Sequence, residues 1–272
     1  MSLVCKLFAR PVSTLASIIA ALYVLLALQT QLGASLGAAS LDPVWAAVQQ
    51  RGELRVATDI GFRPFADLQG DAVVGYDVDL ARALGRQLGV RVTIVPTGFD
   101  ALYDSLTSGQ ADLVASALPY NPEYGDRARF SEFYFNAGQV LVVPAASPAQ
   151  SLADMRGGRV GVTLGSDADD LARRLLGADT GVALLSDYDE PQEVLAALTS
   201  GAIDGAIVDN IVALSATQRD PGLRAVQPAL SLEPFVLAMP PRAFQLQAAV
   251  NSALRRLQEE GFMAELNRKW LK

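Results

Sequence analysis

The sequence predicts an α/β fold made of two similar lobes, and three observations carry that prediction. Strand-like and helix-like stretches alternate from residue 54 to residue 208, the pattern of parallel sheets covered by helices. One passage has an echo: Leu106-Thr107-Ser108-Gly109 followed by Asp112 returns as Leu198-Thr199-Ser200-Gly201 followed by Asp204. Two β-rich segments, 138–143 and 234–239, stand where the halves meet, and no low-complexity linker separates them.

Taken in order, Asp42-Pro43 is a helix start, and Val44, Trp45 and Val48 make a short amphipathic helix ending near Gly52. A β-rich run over 54–58 is the first strand. Val78, Ala81, Leu84 and Leu88 have helical spacing and Gly89 closes that helix. A strand over 90–95, a helix over about 99–108 and an apolar strand over 112–116 complete the first set. The second set opens with a strand at 159–163, continues through helices near 169–176 and 191–200, and has its last clear strand at 205–208. Leu246, Val250, Leu254 and Leu257 then line one face of a long helix that stops at Gly261, and a final helix reaches Trp270 and Leu271. Ligands of open α/β sheets bind outside the carboxyl ends of the strands, so two such ends facing across a hinge predict a cleft that can shut.

Composition narrows the chemistry. Of 272 residues 51% are hydrophobic and 19% charged, which is globular; the net charge of −7 and the lack of a basic stripe argue against nucleic acid as a partner. There is no histidine, which removes imidazole bases and His-containing zinc sites, and no cofactor or metal is expected. Residues 1–40 read as an export signal: Lys6 and Arg10 precede an apolar stretch of 14 residues, Leu15 to Leu28, and small residues follow. That stretch is short of the ~20 residues that span a bilayer, so cleavage near Ala39 or Ser40 is expected, with a periplasmic or extracellular mature chain. Cleavage takes the charge from −7 to −9 and removes Cys5, the one cysteine.

A series of short motifs then resembles one family in its own order. They are Leu54-Arg55-Val56, Pro64-Phe65, Gly75-Tyr76-Asp77-Val78-Asp79-Leu80, Phe99-Asp100-Ala101-Leu102, Phe130-Ser131 with Tyr134, Gly165-Ser166, Asp204 with Asp209, and Lys269-Trp270. Over almost the whole mature chain the sequence resembles the amino-acid-type (family 3) extracellular solute-binding proteins of ABC transporters. The resemblance implies the type II periplasmic-binding-protein fold, two Rossmann-like α/β lobes joined by a two-strand hinge. It divides the chain into a signal at 1–40, a first lobe at 41–137 plus 236–272, and a second lobe at 138–235. It also implies a monomer that carries a small polar ligand, an amino acid or amine, to a transporter permease.

Pocket residues follow from the resemblance one at a time. Asp59, Phe62 and Phe99 would line the first lobe's side of the cleft, the two rings sandwiching the ligand. Asp209 would pair with a ligand ammonium. Ala117, Pro119, Tyr124, Ser166 and Asp167 fall at further contact positions, and three of these depart from the family pattern. Tyr124 stands where an arginine usually grips the ligand carboxylate, Pro119 where a hydroxyl is usual, and Asp167 where Thr or Ser is usual. Arg63 and Arg127 are the candidate replacement cations. Each residue also has a bland role open to it: core for the aromatics, helix capping for Ser166 and the acids, solvated surface for the arginines.

No catalytic residue is expected. The same fold nevertheless resembles periplasmic dehydratases in which a cleft carboxyl acts as general acid, and Asp59, Asp167 or Asp209 would then be that acid. The absent histidine and the missing arginine count against it. A sensor or accessory module that docks in its closed state is the third reading.

Overall fold

In the computed structural model, residues 42–177 and 180–272 are described, so the export signal expected over 1–40 lies outside the described residues. Helix α1, Pro43–Arg51, starts where Asp42 predicts, with the Asp42 carboxylate accepting from the Val44 and Trp45 amides. Strands β1 (Glu53–Thr58), β4 (Arg91–Pro96) and β5 (Leu113–Pro119) are parallel, with β1 in the middle. Between them run the hairpin of β2 (Asp67–Gln69) and β3 (Ala72–Val74), helix α2 (Tyr76–Leu88), and α3 (Leu102–Thr107). The single helix expected over 99–108 is a 3₁₀ turn, Phe99–Ala101, followed by α3. β6 (Arg129–Phe130) and β7 (Phe135–Asn136) complete this stretch.

The second sheet repeats the plan. β9 (Arg159–Thr163), β10 (Ala183–Tyr188) and β11 (Gly205–Asp209) are parallel with β9 in the middle, connected by α4 (Asp167–Leu175) and α5 (Pro191–Thr199). In each sheet a fourth strand then runs antiparallel: β8 (Gln139–Pro144) beside β11, and β13 (Pro234–Met239) beside β5. The orders are β4-β1-β5-β13-β6 and β10-β9-β11-β8-β12, where β12 is Leu223–Ala225. The sequence reading missed β10, β12 and helix α6 (Asn210–Arg219), whose apolar residues follow neither a clean alternation nor a clean helical stripe.

The two β-rich segments expected to cross between the halves each lie inside one sheet, β8 in the second and β13 in the first. The crossings are the short stretches just before them, from Asn136 to Gln139 and from Ala225 to Pro234. They touch through backbone: a Cβ on Gly138 would stand 2.3 Å from the Ser231 carbonyl oxygen, which is why the smallest residue is there. Asn136 ties the crossings together. Its side-chain oxygen accepts from the amides of Gly138 and Glu233, and its Nδ2 donates to the Ser231 carbonyl.

Both sheets are buried on both faces. Along β8, Val140 and Val142 enter one apolar cluster and Leu141 and Val143 the other. The first sheet's larger core is completed by the C-terminal helices α7 (Phe244–Glu259) and α8 (Phe262–Trp270), through Leu246, Val250, Leu254, Leu257 and Leu266. Several family-like motifs prove to be joints of this frame. Trp270 Nε1 and Lys269 Nζ donate to Asp79 at 2.8 and 2.6 Å, and the Tyr134 hydroxyl donates to Asp77 at 2.7 Å. The echoed acids perform one task in both halves: Asp112 accepts from the Arg55 amide and guanidinium, and Asp204 from those of Arg159.

Candidate functional site

Every candidate from the strand ends sits at the carboxyl end of a parallel strand. In the first sheet Asp59 follows β1, Phe99 follows β4 and Ala117 lies near the end of β5. In the second, Ser166 and Asp167 follow β9, and Asp209 is the last residue of β11.

In the first half, the Asp59 amide donates to the Ser116 hydroxyl at 2.9 Å, and among the described residues the Asp59 carboxylate has no hydrogen-bond or ion-pair partner. Phe62 stacks on Phe65 with centroids 5.8 Å apart, yet Phe62 and Phe99 stay 50% and 48% exposed. Exposure on this scale puts neither ring in the core. Ala117 has φ of +43°, a left-handed conformation unusual for a residue with a side chain, and its amide donates to Asp77 at 2.5 Å. Asp77 is fully buried, and that burial pushes its carboxyl up to about 7 against the lowering effect of the Tyr134 and Ala117 bonds. The sequence therefore fixes the backbone at the end of β5 through a residue that never reaches the cleft.

The replacement arginines are engaged elsewhere. Arg63 pairs with Asp67 and Arg127 with Asp104. Tyr124 stacks on Tyr103 at 4.1 Å, with the Arg127 guanidinium 5.7 Å from the Tyr124 centroid. Pro119 ends β5 and is exposed.

The second half holds a cavity of about 350 Å³ at its strand ends, and Gln139, Thr163, Ser166, Asp167, Pro191 and Asp209 are among its lining. Capping there falls to Ser166, whose hydroxyl accepts from the Asp169 amide, while Asp169 accepts from the Gly165 amide and pairs with Arg173. Asp167, in the first turn of α4, keeps a carboxylate with no hydrogen bond or ion pair among the described residues. Asp209 precedes α6 without capping it by its side chain; its Oδ1 instead accepts from Gln139 Nε2 at 2.6 Å. Glu233 lies on the return crossing, outside the residues that line this cavity. Partial loss of solvent, then the negative charges of Asp167 and Asp209, raise its carboxyl above the ordinary value.

Sequence reasoning missed Gln139 and Glu233. A glutamine opening the apolar run Val140-Leu141-Val142-Val143 is a signal in hindsight, since a polar residue there has to meet a partner at the strand end; Glu233 carries no such mark. Among the described residues no hydrogen bond or ion pair links Asp59 to Asp167 or Asp209.

Comparison with known proteins gives this arrangement its relatives. The model of the bacterial extracellular solute-binding proteins, family 3, matches residues 54–272. The arginine-binding extracellular protein ArtP of Bacillus subtilis (strain 168) is 30% identical over 220 residues, covering 80% of this chain and 86% of ArtP. Among solved structures, an ancestral cyclohexadienyl dehydratase superposes with a TM-score of 0.72 at 30% identity, covering 83% of this chain and 95% of that one. An ancestral cationic amino acid solute-binding protein does so at 0.60 and 29% identity, covering 84% and 99%.

Proposed function

Because the chain belongs to the bacterial extracellular solute-binding proteins of family 3, we propose that it captures a small amine-bearing solute between its halves and delivers it to an ABC importer, without catalysing a reaction. The observation that carries the ligand class is Asp209, a carboxylate at the mouth of a strand-end cavity, oriented by Gln139 and released from any capping duty. An ammonium against such a carboxylate gains a charge-assisted bond of about 1.5–3 kcal/mol, enough to orient a small molecule. Asp59 supplies a second unpaired carboxylate from the first half, and Phe62 and Phe99 supply apolar faces that closure would cover. The arginine-binding and cationic-amino-acid-binding relatives support an amine ligand.

The lobes in this reading are residues 41–137 with 236–272, and 138–235, and the protein works as a monomer outside the cytoplasmic membrane. The ancestral dehydratase is as similar in sequence as the binding relatives, and the binding reading requires the ligand to be recovered unchanged. Mass spectrometry of small molecules released on denaturation, followed by calorimetric titration of the identified compound, tests it. An amine returned intact is expected; a carboxylic acid without an amine, or a dehydrated product, overturns the proposal.

A further inference from the structure

We infer that Asp77 is a positioning residue for the first half of the site: it sets the backbone of Asp59 through a bulge in β5, without touching the solute. The inference rests on the amine-capturing function proposed above and adds a residue to that site.

The bulge is visible in the register. Leu118 pairs with Val236 and Val114 with Ala238, so β5 carries two more residues than β13 over the same stretch. Ala117 lies in it with φ of +43°, a conformation that a residue with a side chain keeps only where its surroundings hold it. A bulge also takes an amide off the sheet ladder, and that amide needs another acceptor. Asp77 Oδ2 is the acceptor, at 2.5 Å. One residue earlier, the Ser116 hydroxyl accepts from the Asp59 amide at 2.9 Å, reaching from β5 to the end of β1. Asp77, Ala117, Ser116 and Asp59 are thus joined in one run of bonds and chain, and the run ends on a carboxylate that has no partner among the described residues.

Asp77 is itself firmly held. Its amide donates to the Phe65 carbonyl at 3.0 Å and its Oδ1 accepts from the Tyr134 hydroxyl at 2.7 Å. A Cβ on Gly75, two residues earlier, would stand 2.1 Å from the Phe65 oxygen, so the start of α2 is pressed against that backbone. The charge on Asp77 matters because a carboxylate accepts more strongly than a carboxyl, whose proton occupies one of its lone pairs. Burial brings this titration to about 7. The ionisable groups facing it are the Tyr134 and Tyr76 hydroxyls, both pushed above their ordinary value by burial. On the elements packed against α2, Arg55 of β1 is held by Asp112, Arg255 of α7 by Glu132, and Lys269 of α8 by Asp79, and none of them raises or lowers the Asp77 carboxyl. Ionisation costs the whole fold stability and still tightens this one joint. Solute affinity therefore falls as pH falls through about 7.

Amide resonances of the isotope-labelled full chain, followed from about pH 5 to about pH 9, test this without a ligand. Ala117 and Asp59 should titrate with one midpoint near 7. Asp77→Asn should abolish that midpoint in both, and Tyr134→Phe, which removes a donor from the carboxylate, should move it upward in both together. Should Asp77→Asn not fold, the Tyr134→Phe displacement decides. With L-arginine as the probe, isothermal titration should show affinity falling about threefold or more from about pH 8 to about pH 6 in the natural protein, and by less in Asp77→Asn. An Asp59 amide that ignores the Ala117 midpoint, or the same loss of arginine affinity in both proteins, overturns the inference and leaves the amine-capturing function standing. If arginine does not bind, the amide midpoints alone decide the positioning role, and the amine reading loses the support of its arginine-binding relatives.

Discussion

Asp209 and Asp77 show how differently two carboxylates of one chain can be used. Asp209 is exposed, at a strand end, with one oxygen held by Gln139, so its charge is available to a solute. Asp209→Asn keeps the shape and removes the charge; it should weaken the best ligand by roughly 10- to 150-fold, the equivalent of about 1.5–3 kcal/mol, in a calorimetric titration. Unchanged affinity would remove Asp209 from the site. Asp77 is buried, and its carboxyl is raised from an ordinary 3.8 to about 7. The folded state therefore holds this proton more tightly than the unfolded chain does. Its contribution to stability is complete below about pH 4 and is lost as pH rises through about 7. Urea midpoints across that range should fall for the natural protein relative to Asp77→Asn, which has no proton to lose.

Among the secondary-structure elements, acids fasten the ends. Asp42 caps α1 with Oδ1, and its Oδ2 accepts from the Gln245 and Leu246 amides at the start of α7, so one side chain secures two helices distant in sequence. The echoed acids allow a sharper comparison because their chemistry is the same and their burial is not. The Asp112 side chain is 4% exposed and also pairs with Arg51, whereas Asp204 is 48% exposed and pairs with Arg159. Asp112→Asn should cost about 2–3 kcal/mol of unfolding free energy and Asp204→Asn about 1 kcal/mol or less, since water screens the exposed pair. Equal costs in urea denaturation would mean that burial does not set the strength of this joint. The echo itself is readable in the sequence. That its acids bind the middle parallel strand of each sheet, and not a ligand, is visible only once Arg55 and Arg159 are seen beside them.

For the whole molecule the crossings matter most. Two sheets of like topology are joined by stretches that meet backbone to backbone at Gly138 and Ser231, with Asn136 bonded to both. Ligand at saturation should reduce the radius of gyration measured by X-ray scattering, as the sheets swing together about these stretches. Gly138→Ala forces the crossings apart, because its methyl has no space before the Ser231 carbonyl. The variant should keep its secondary structure by circular dichroism, yet shrink less on binding and bind more weakly. A full contraction in the variant would place the pivot elsewhere.

The sequence by itself determined the alternation of strands and helices, the doubled plan, the capping at Asp42-Pro43 and the family-like motifs. Those features arise from periodicity and local hydrogen bonding, which neighbouring residues carry within themselves. The family resemblance also marked Asp209, Asp167 and Asp59. Tertiary structure decided which acids are free. Ser166 and Asp169 take the capping work that Asp167 might have done, and Gln139 claims one oxygen of Asp209. It alone paired Arg63 with Asp67 and Arg127 with Asp104. The physical reason is that a charge acts through distance and solvent, and both are set by chain segments tens of residues apart that meet only when the two sheets have formed.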